Sequence, residues 1–436
     1  MKWAYDIVIV SGSALGFEVA FDLSLWGRVA LVIPEKTSWE GSWLRLILPE
    51  RLCDRFNEHP RVLRGDALRS WLQGQVERVQ MVYSRAVLAA AGVDIIEGMG
   101  QFSQDKPLGL EIQGDRLEAP SYLLLDQPDN PLDLGEAYAK LLTPPGKNES
   151  CANGHRVWSV RGHGPELAEW IGLACLLEES VSWYIPGDRP LPQEDDWTNQ
   201  RLQAYLEALG VRIYTQTPGS PHPSILALPP SHGGNDQDHQ KEQEKTSLLD
   251  EWGGLGLSQL GLHCHPVPTD SFLNLNGFLK VNGDLQTRHP KIYACGSWLR
   301  GYDLPMTTKA EALHIGRNCL QKRRRFPRNH IPMIYKGCPW WLTTPYPLAR
   351  VGWNLRQLTQ SQNNNDFRGH ALKTYRIQAS PLGGDYGQIV THNQQLLGAT
   401  LVGYGAISAS QTFALGLQKS VPWPDILAIA GWQLTD

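Results

Sequence analysis

Two stretches of the chain repeat one pattern of apolar and polar positions. Residues 5–10 (Tyr-Asp-Ile-Val-Ile-Val) are a short run rich in β-branched residues, followed by Ser-Gly-Ser-Ala-Leu-Gly at 11–16 and an apolar-periodic stretch from Phe17 to Trp26. Gly27 ends that stretch, and 28–33 (Arg-Val-Ala-Leu-Val-Ile) is a second apolar run. Strand, glycine turn, helix, strand is a βαβ unit. Because both runs are continuously apolar rather than alternating, they suit a parallel sheet covered on both faces. The grammar returns at 156–160 (RVWSV), with Arg161-Gly-His-Gly-Pro165, a helical stretch to Leu177, the run Val181 to Ile185 and Gly-Asp-Arg at 187–189. Two such units predict an α/β chain with two dinucleotide-binding-like domains.

Length and composition bound this picture. At about 100 to 200 residues per domain, 436 residues make two to four domains. With 42% hydrophobic and 19% charged residues, the chain has the balance of a globular protein with long loops. Lys plus Arg (40) against Asp plus Glu (44) gives a net charge of −4, which carries no general footprint for nucleic acid. The cluster Lys322-Arg-Arg-Arg325 with Arg328 reads as a solvated linker next to a helix end, and 229–250 (PPSHGGNDQDHQKEQEKTSLLD) as a polar insertion. The first residues show no charged, apolar and cleavage regions of a secretory signal, so a cytoplasmic protein without membrane insertion is expected. The cysteines number seven, unpaired in spacing and without metal-type clustering, which reads as reduced thiols and no metal. The one oddity is 16 tryptophans.

A dinucleotide loop needs glycine at three places: the tight turn, the close approach to pyrophosphate, and the contact of helix with strand. In the first unit these places hold Ser11, Ser13 and Gly16, with Gly12 between the serines. The acid that would take the ribose hydroxyls belongs at the strand end, where Ile33 and Pro34 stand; Glu35 comes two residues later. In the second unit Gly162 and Gly164 fill the first two places, but Leu167 fills the third, where its bulk would push helix from strand, and Ile185 fills the ribose-reading place.

With both units in place, the chain resembles the FAD-dependent pyridine nucleotide-disulfide oxidoreductases, the family of dihydrolipoamide dehydrogenase and mercuric reductase, along nearly its whole length. The most specific stretch is 276–302, NGFLKVNGDLQTRHPKIYACGSWLRGY, which resembles the strand leading into the second FAD motif. Residues 162–165 with 187–189, 331–353 and 394–406 add to it. The resemblance implies two Rossmann-like three-layer domains, FAD-type and NAD-type, plus a C-terminal α+β dimerisation domain. The FAD-type domain would comprise 1–150 and 271–330, the NAD(P)-type domain 151–270 with the insertion 229–250, and a homodimer interface 331–436.

Within that family electrons pass from a nicotinamide through FAD to a CxxxxC disulfide, which needs an attacking and a charge-transfer thiolate. Here Trp43 takes the first sulfur position and Ile47 or Leu48 the second, while Cys53 lies further on without a partner. The lysine beside the flavin corresponds to Arg51, and the aspartate of the family's Gly-Asp to Ser297 after Gly296. Gln433 stands at the proton-transferring histidine and cannot exchange a proton near neutral pH. The Ala-Thr-Gly crossovers read Leu-Leu-Leu-Asp-Gln-Pro (123–128) and Ile-Leu-Ala-Leu-Pro-Pro (225–230).

These departures touch each functional element in turn. They lead to the expectation of a pseudoenzyme without catalytic residues, kept as a homodimer that binds an unknown protein or small molecule in old cofactor clefts. FAD is then doubtful, with Gly12, Ser13, Gly16, Glu35, Gly296 and Ser297 as vestigial contacts, and NAD(P) at Gly162 and Gly164 improbable. Trp43 and Trp298 would either fill the volume around the flavin or serve as ordinary core residues. The competing expectation is an FAD-dependent NAD(P)H oxidoreductase acting on an acceptor other than a disulfide.

Overall fold

The structure, a computed structural model, describes residues 3–35, 39–48, 64–98, 100–103, 108–125, 134–144, 155–215, 224–228, 279, 281–299, 304–321, 333–362, 372–379 and 384–435. Backbone proximity divides the chain into two compact units, the first being Met1–Ile47, Ser70–Thr143 and Ser231–Met333, the second Leu48–Arg69, Pro144–Pro230 and Ile334–Asp436.

In chain order the first strands are β1 (Trp3–Ala4), β2 (Ile7–Val10), β3 (Val29–Ile33), β4 (Val93–Glu97), β5 (Gln101–Phe102), β6 (Leu110–Ile112), β7 (Asp115–Glu118) and β8 (Tyr122–Leu124). The helices among them are α1 (Leu15–Ser24), α2 (40–48), α3 (Gly65–Val82), α4 (Arg85–Ala90) and, after β8, α5 (Leu134–Leu142). There follow β9 (Val157–Arg161), α6 (Pro165–Leu176), β10 (Ser180–Tyr184), α7 (Asp196–Ala208), β11 (Arg212–Tyr214), β12 (Ser224–Leu228) and β13 (Ile292–Ala294). The C-terminal strands are β14 (Trp340–Leu342), β15 (Leu348–Gly352), β16 (Leu372–Gln378), β17 (Tyr386–His392), β18 (Gln395–Val402) and β19 (Gln433–Leu434).

The first unit holds a parallel sheet in the order β13-β8-β2-β3-β4. Every residue of β2 and β3 is buried, as their unbroken apolar runs require. Register pairs Ile7 with Val29 and Val10 with Val32, and the Asp6 carboxylate accepts the Arg28 amide at 2.8 Å, so regular pairing starts later than the apolar run that begins at residue 5. A second sheet, β1-β7-β6-β5, covers one face. Between the sheets lies a core of Val8, Val10, Ala30, Val32, Leu110, Leu117 and Tyr122, among others.

The second unit holds the sheet β11-β10-β9-β12. Its centre, β9 and β10 joined by α6, is the second βαβ unit, in parallel register from Val157 opposite Ser180 to Arg161 opposite Tyr184. The first residues of the 225–230 segment lie in β12, which runs antiparallel to β9, Ile225 opposite Val160. A six-stranded sheet, β14-β15-β18-β17-β16-β19, follows with antiparallel pairing throughout. Helix Ala406–Lys419 packs Phe413, Ala414 and Leu417 into this sheet's core, and ends at Ser420 in the left-handed conformation. The fold is thus the expected α/β one with a C-terminal antiparallel sheet. The polar insertion beyond 228 and the basic cluster 322–325 lie outside the described residues.

Candidate functional site

In the first unit, the turn after β2 and the start of α1 lie at the carboxyl end of the parallel strands, where ligands of open α/β sheets bind. The helix begins at Leu15, two residues before the apolar periodicity, and takes Gly16 into its first turn. A Cβ on Gly16 would stand 2.5 Å from both Cβ and Oγ of Ser11 and 3.2 Å from Leu31, so this glycine does the work of the third place. The serines knit the turn: the Ser13 amide donates to Ser11 Oγ at 3.2 Å, and the Ser11 hydroxyl donates to the Ser13 carbonyl at 3.1 Å. From α2, Ser42 Oγ accepts the Ala14 amide at 2.7 Å. Ser42 was not among the residues picked from sequence, although it directly precedes Trp43. Glu35 follows β3, exposed, and accepts a hydrogen bond from Gln113 at 2.7 Å.

Gly296 joins the same edge. It sits at φ +62 where a Cβ would lie 2.7 Å from the Leu125 carbonyl, and its amide donates to the buried Glu311 carboxylate at 2.9 Å. Leu125 in turn bonds the carbonyl of Val10, the last residue of β2. The structure therefore brings Gly12, Ser13 and Gly16 to one sheet edge with Gly296 and Ser297.

Within α2, both Trp43 and Leu48 are buried. The Trp43 ring stacks on Tyr83 at 6.0 Å between centroids and packs on Phe17 at 5.4 Å, while Phe17 meets Trp39 edge-on at 5.6 Å. Trp298 is 1% exposed and belongs to the core between the two sheets. Both tryptophans are core residues of the first unit. Cys53 and Arg51 lie outside the described residues.

In the second unit, Gly162 and Gly164 adopt φ +112 and +130, conformations that glycine tolerates and the turn into α6 requires. Gly164 caps α6, Pro165 occupies its first turn, and Leu167 is fully buried in it. The Gly162 amide donates to the Tyr184 carbonyl at 3.0 Å, its carbonyl accepts the Trp183 indole at 2.9 Å, and the Gly164 amide donates to the Pro190 carbonyl at 2.9 Å. Ile185 is buried just after β10. Gln433 is exposed on β19, opposite Gln378.

Among the described residues no group of three or more His, Cys, Asp or Glu could hold a metal ion, and no helix is long and apolar enough to cross a membrane. The described residues include four cysteines, Cys175, Cys295, Cys319 and Cys338, of which Cys295 and Cys319 are buried. Burial pushes the Cys175 thiol up to about 12, far above the range of a reactive thiolate. Iodoacetamide at neutral pH should leave Cys175, Cys295 and Cys319 of the native protein intact, as read by peptide mass, and rapid labelling of Cys295 would contradict its burial.

No family profile matches the chain. Dihydrolipoyl dehydrogenase of Bacillus subtilis (strain 168) is 21% identical over 364 residues, covering 76% of this chain and 75% of the relative. Among solved structures, LpdA from Mycobacterium tuberculosis superposes with a TM-score of 0.62 at 16% identity, covering 95% of this chain and 94% of the other. The Cu(II) complex of the HOCl-induced flavoprotein disulfide reductase RclA from Escherichia coli gives 0.62 at 15% identity, covering 97% and 95%. These likenesses support the pyridine nucleotide-disulfide oxidoreductase family. They also overturn one expectation from sequence. A dihydrolipoyl dehydrogenase and a reductase described as a flavoprotein point to FAD and NAD(P) as cofactors, so a doubtful FAD and an improbable NAD(P) do not stand.

The first unit's residues fit FAD. Gly16 provides the close approach of helix to strand, and the start of α1 offers amides whose present acceptors are rotatable serine hydroxyls. In the second unit the glycine turn keeps its two positive φ values, the backbone geometry that a nicotinamide dinucleotide loop uses.

Proposed function

We propose that this protein is an FAD-binding, NAD(P)H-dependent oxidoreductase whose electron acceptor is not a disulfide. The feature that supports this reading is α2: it buries Trp43, which the family resemblance aligns with the first sulfur, and Ile47 and Leu48, which it aligns with the second, and 39–48 contains no cysteine. Bound FAD would supply hydride acceptance and onward electron transfer. This chain's own residues would hold it: Gly16 and the α1 amides at the pyrophosphate, Ser13 and Ser42 by hydroxyl hydrogen bonds, Glu35 at the ribose hydroxyls, and Gly296 with Ser297 near the ribityl chain. Ser297 offers a neutral hydroxyl where the family has a carboxylate. Gly162 and Gly164 would receive the nicotinamide dinucleotide, and Gln433 would offer hydrogen bonds but no proton.

The purely non-catalytic reading loses its support once the relatives favour both cofactors. Purified protein reconstituted with FAD should show oxidised-flavin absorbance that NADH or NADPH bleaches anaerobically and that a quinone or ferricyanide restores, while lipoamide and glutathione disulfide do not. Reoxidation by a disulfide would sink the proposed acceptor class, and no flavin binding would sink the oxidoreductase reading altogether.

A homodimer through 331–436, in the cytoplasm, is part of the proposal. The resemblance of 331–353 and 394–406 to the family's dimerisation domain supports an interface there. Sedimentation at micromolar concentration should show a dimer; a monomer would refute it.

A further inference from the structure

The amide of Gly164, at the N-cap of α6, is one of the helix-start donors to which a pyrophosphate would come, and the Pro190 carbonyl already takes it, at 2.9 Å. Pro190 opens a segment that is tied down along its length. Leu191 exchanges two hydrogen bonds with the buried Asn199 side chain, at 2.7 and 3.0 Å, and Asn199 Nδ2 also donates to the carbonyls of Glu194 and Asp195. The Glu194 side chain is fully buried and pairs with the buried guanidinium of Arg350 on β15. Asn354 Nδ2 donates to the Gln193 carbonyl at 2.8 Å and to Glu194 Oε2 at 3.2 Å. The Asp195 carboxylate accepts the amides of Leu355 and Arg356, capping helix Leu355–Gln362. Arg350 is itself fixed, donating to the Gly352 carbonyl and to Gln357 Oε1 and lying over the Trp340 ring.

One N–H serves the Pro190 carbonyl and a phosphate oxygen together only as a three-centre bond that weakens both. We propose that residues 190–195 form a strap that competes with the nicotinamide cofactor for the Gly164 amide, and that Arg350 and Asn354 are positioning residues that set cofactor affinity by holding the strap down. The inference rests on the NAD(P)H reading above. When only a fraction of the protein has the strap lifted, the apparent dissociation constant rises by the inverse of that fraction. Loosening the clip therefore tightens cofactor binding although no group touching the cofactor has changed. Glu194 and Arg350 must be replaced together, because removing one alone leaves a buried charge without its partner.

The test uses the full chain with FAD. The pair Glu194→Gln with Arg350→Met should lower the dissociation constants of NADH and NADPH by about tenfold, within the usual range of coupling between sites. The KM for the same cofactor should fall without a rise in kcat, and hydrogen exchange at the Gly164 amide should quicken. Asn354→Ala, which keeps the ion pair, should give the same changes at roughly threefold by the same coupling, and serves if the double variant does not fold. Unchanged or weaker cofactor binding in Asn354→Ala, with Gly164 exchange as slow as in the wild type, would overturn the strap while leaving the NAD(P)H reading intact. Absence of NADH and NADPH binding in wild type and variants alike would overturn both.

Discussion

Replacing Gly41 by alanine is expected to be among the most damaging single changes in the first unit. A Cβ there would stand 1.6 Å from the Gly135 carbonyl oxygen and 2.6 Å from the Ala139 amide nitrogen. Both are backbone atoms of α5, so no side chain can rotate away, and α2 must separate from α5. Overpacking costs about 1 to 3 kcal/mol and occasionally more, and a clash with backbone belongs at the upper end. Because Ser42 follows and holds the Ala14 amide, the displacement also reaches the first nucleotide turn. Urea unfolding should show the loss in midpoint, and the purified variant should retain less flavin. Gly74, inside α3 with nothing within 4 Å of its missing Cβ, is the control. Alanine there should stabilise by roughly 0.4 to 1 kcal/mol through the unfolded chain. If Gly41→Ala unfolds at the wild-type midpoint, the tight crossing of α2 and α5 is wrong.

The second large effect is expected at Glu179. Its side chain is fully buried and accepts from Arg69 Nη2 at 3.2 Å, lies 3.9 Å from Arg156 Nη1, and takes the Arg156 backbone amide at 2.7 Å. Arg69 and Arg156 are 5% and 4% exposed. Glu179→Ala would leave two buried guanidinium groups without their shared carboxylate, a change worth about 3 to 5 kcal/mol. Arg69 keeps Asp66, which is solvent-exposed and compensates little. Replacing all three by apolar residues of similar volume should recover much of the loss, because the desolvation of the charges disappears with them. Thermal unfolding of the single and triple variants decides the matter: a single-variant loss under about 1 kcal/mol would mean that water reaches the triad.

The sequence made the parallel strands legible because β2, β3, β9 and β10 are short apolar runs beside glycine turns, a signal carried by adjacent residues. What escaped depends on partners far along the chain. The early start of α1 reflects the Ala14 amide finding Ser42, 28 positions away. The antiparallel course of β12 could not be seen, since an apolar run carries no direction. Trp43 had two open readings from sequence, and its burial against the rings of Phe17 and Tyr83 fits both. Leu167, expected to force α6 from its strand, is fully buried within the helix's first turn. The Pro190 carbonyl that occupies Gly164 had no signal, because a backbone acceptor is the same atom in every residue type. The cofactor expectation failed for a different reason. It counted departures at single positions, such as Ser11, Ser13, Leu167 and Ile185, whereas dinucleotide loops bind largely through backbone amides at the helix start.

The short strand β19 has a consequence for how this protein tolerates clipping. It lies at the rim of the six-stranded sheet, where Gln433 and Leu434 cover the hydrogen-bonding side of Ile377 and Gln378 on β16. A bare strand rim is a template on which another chain can add, and a two-residue patch is a small but effective shield. Removal of residues 433–436 should cost little folding stability, yet leave β16 open to strand addition, so that trimmed protein forms aggregates larger than the dimer on storage while the intact protein does not.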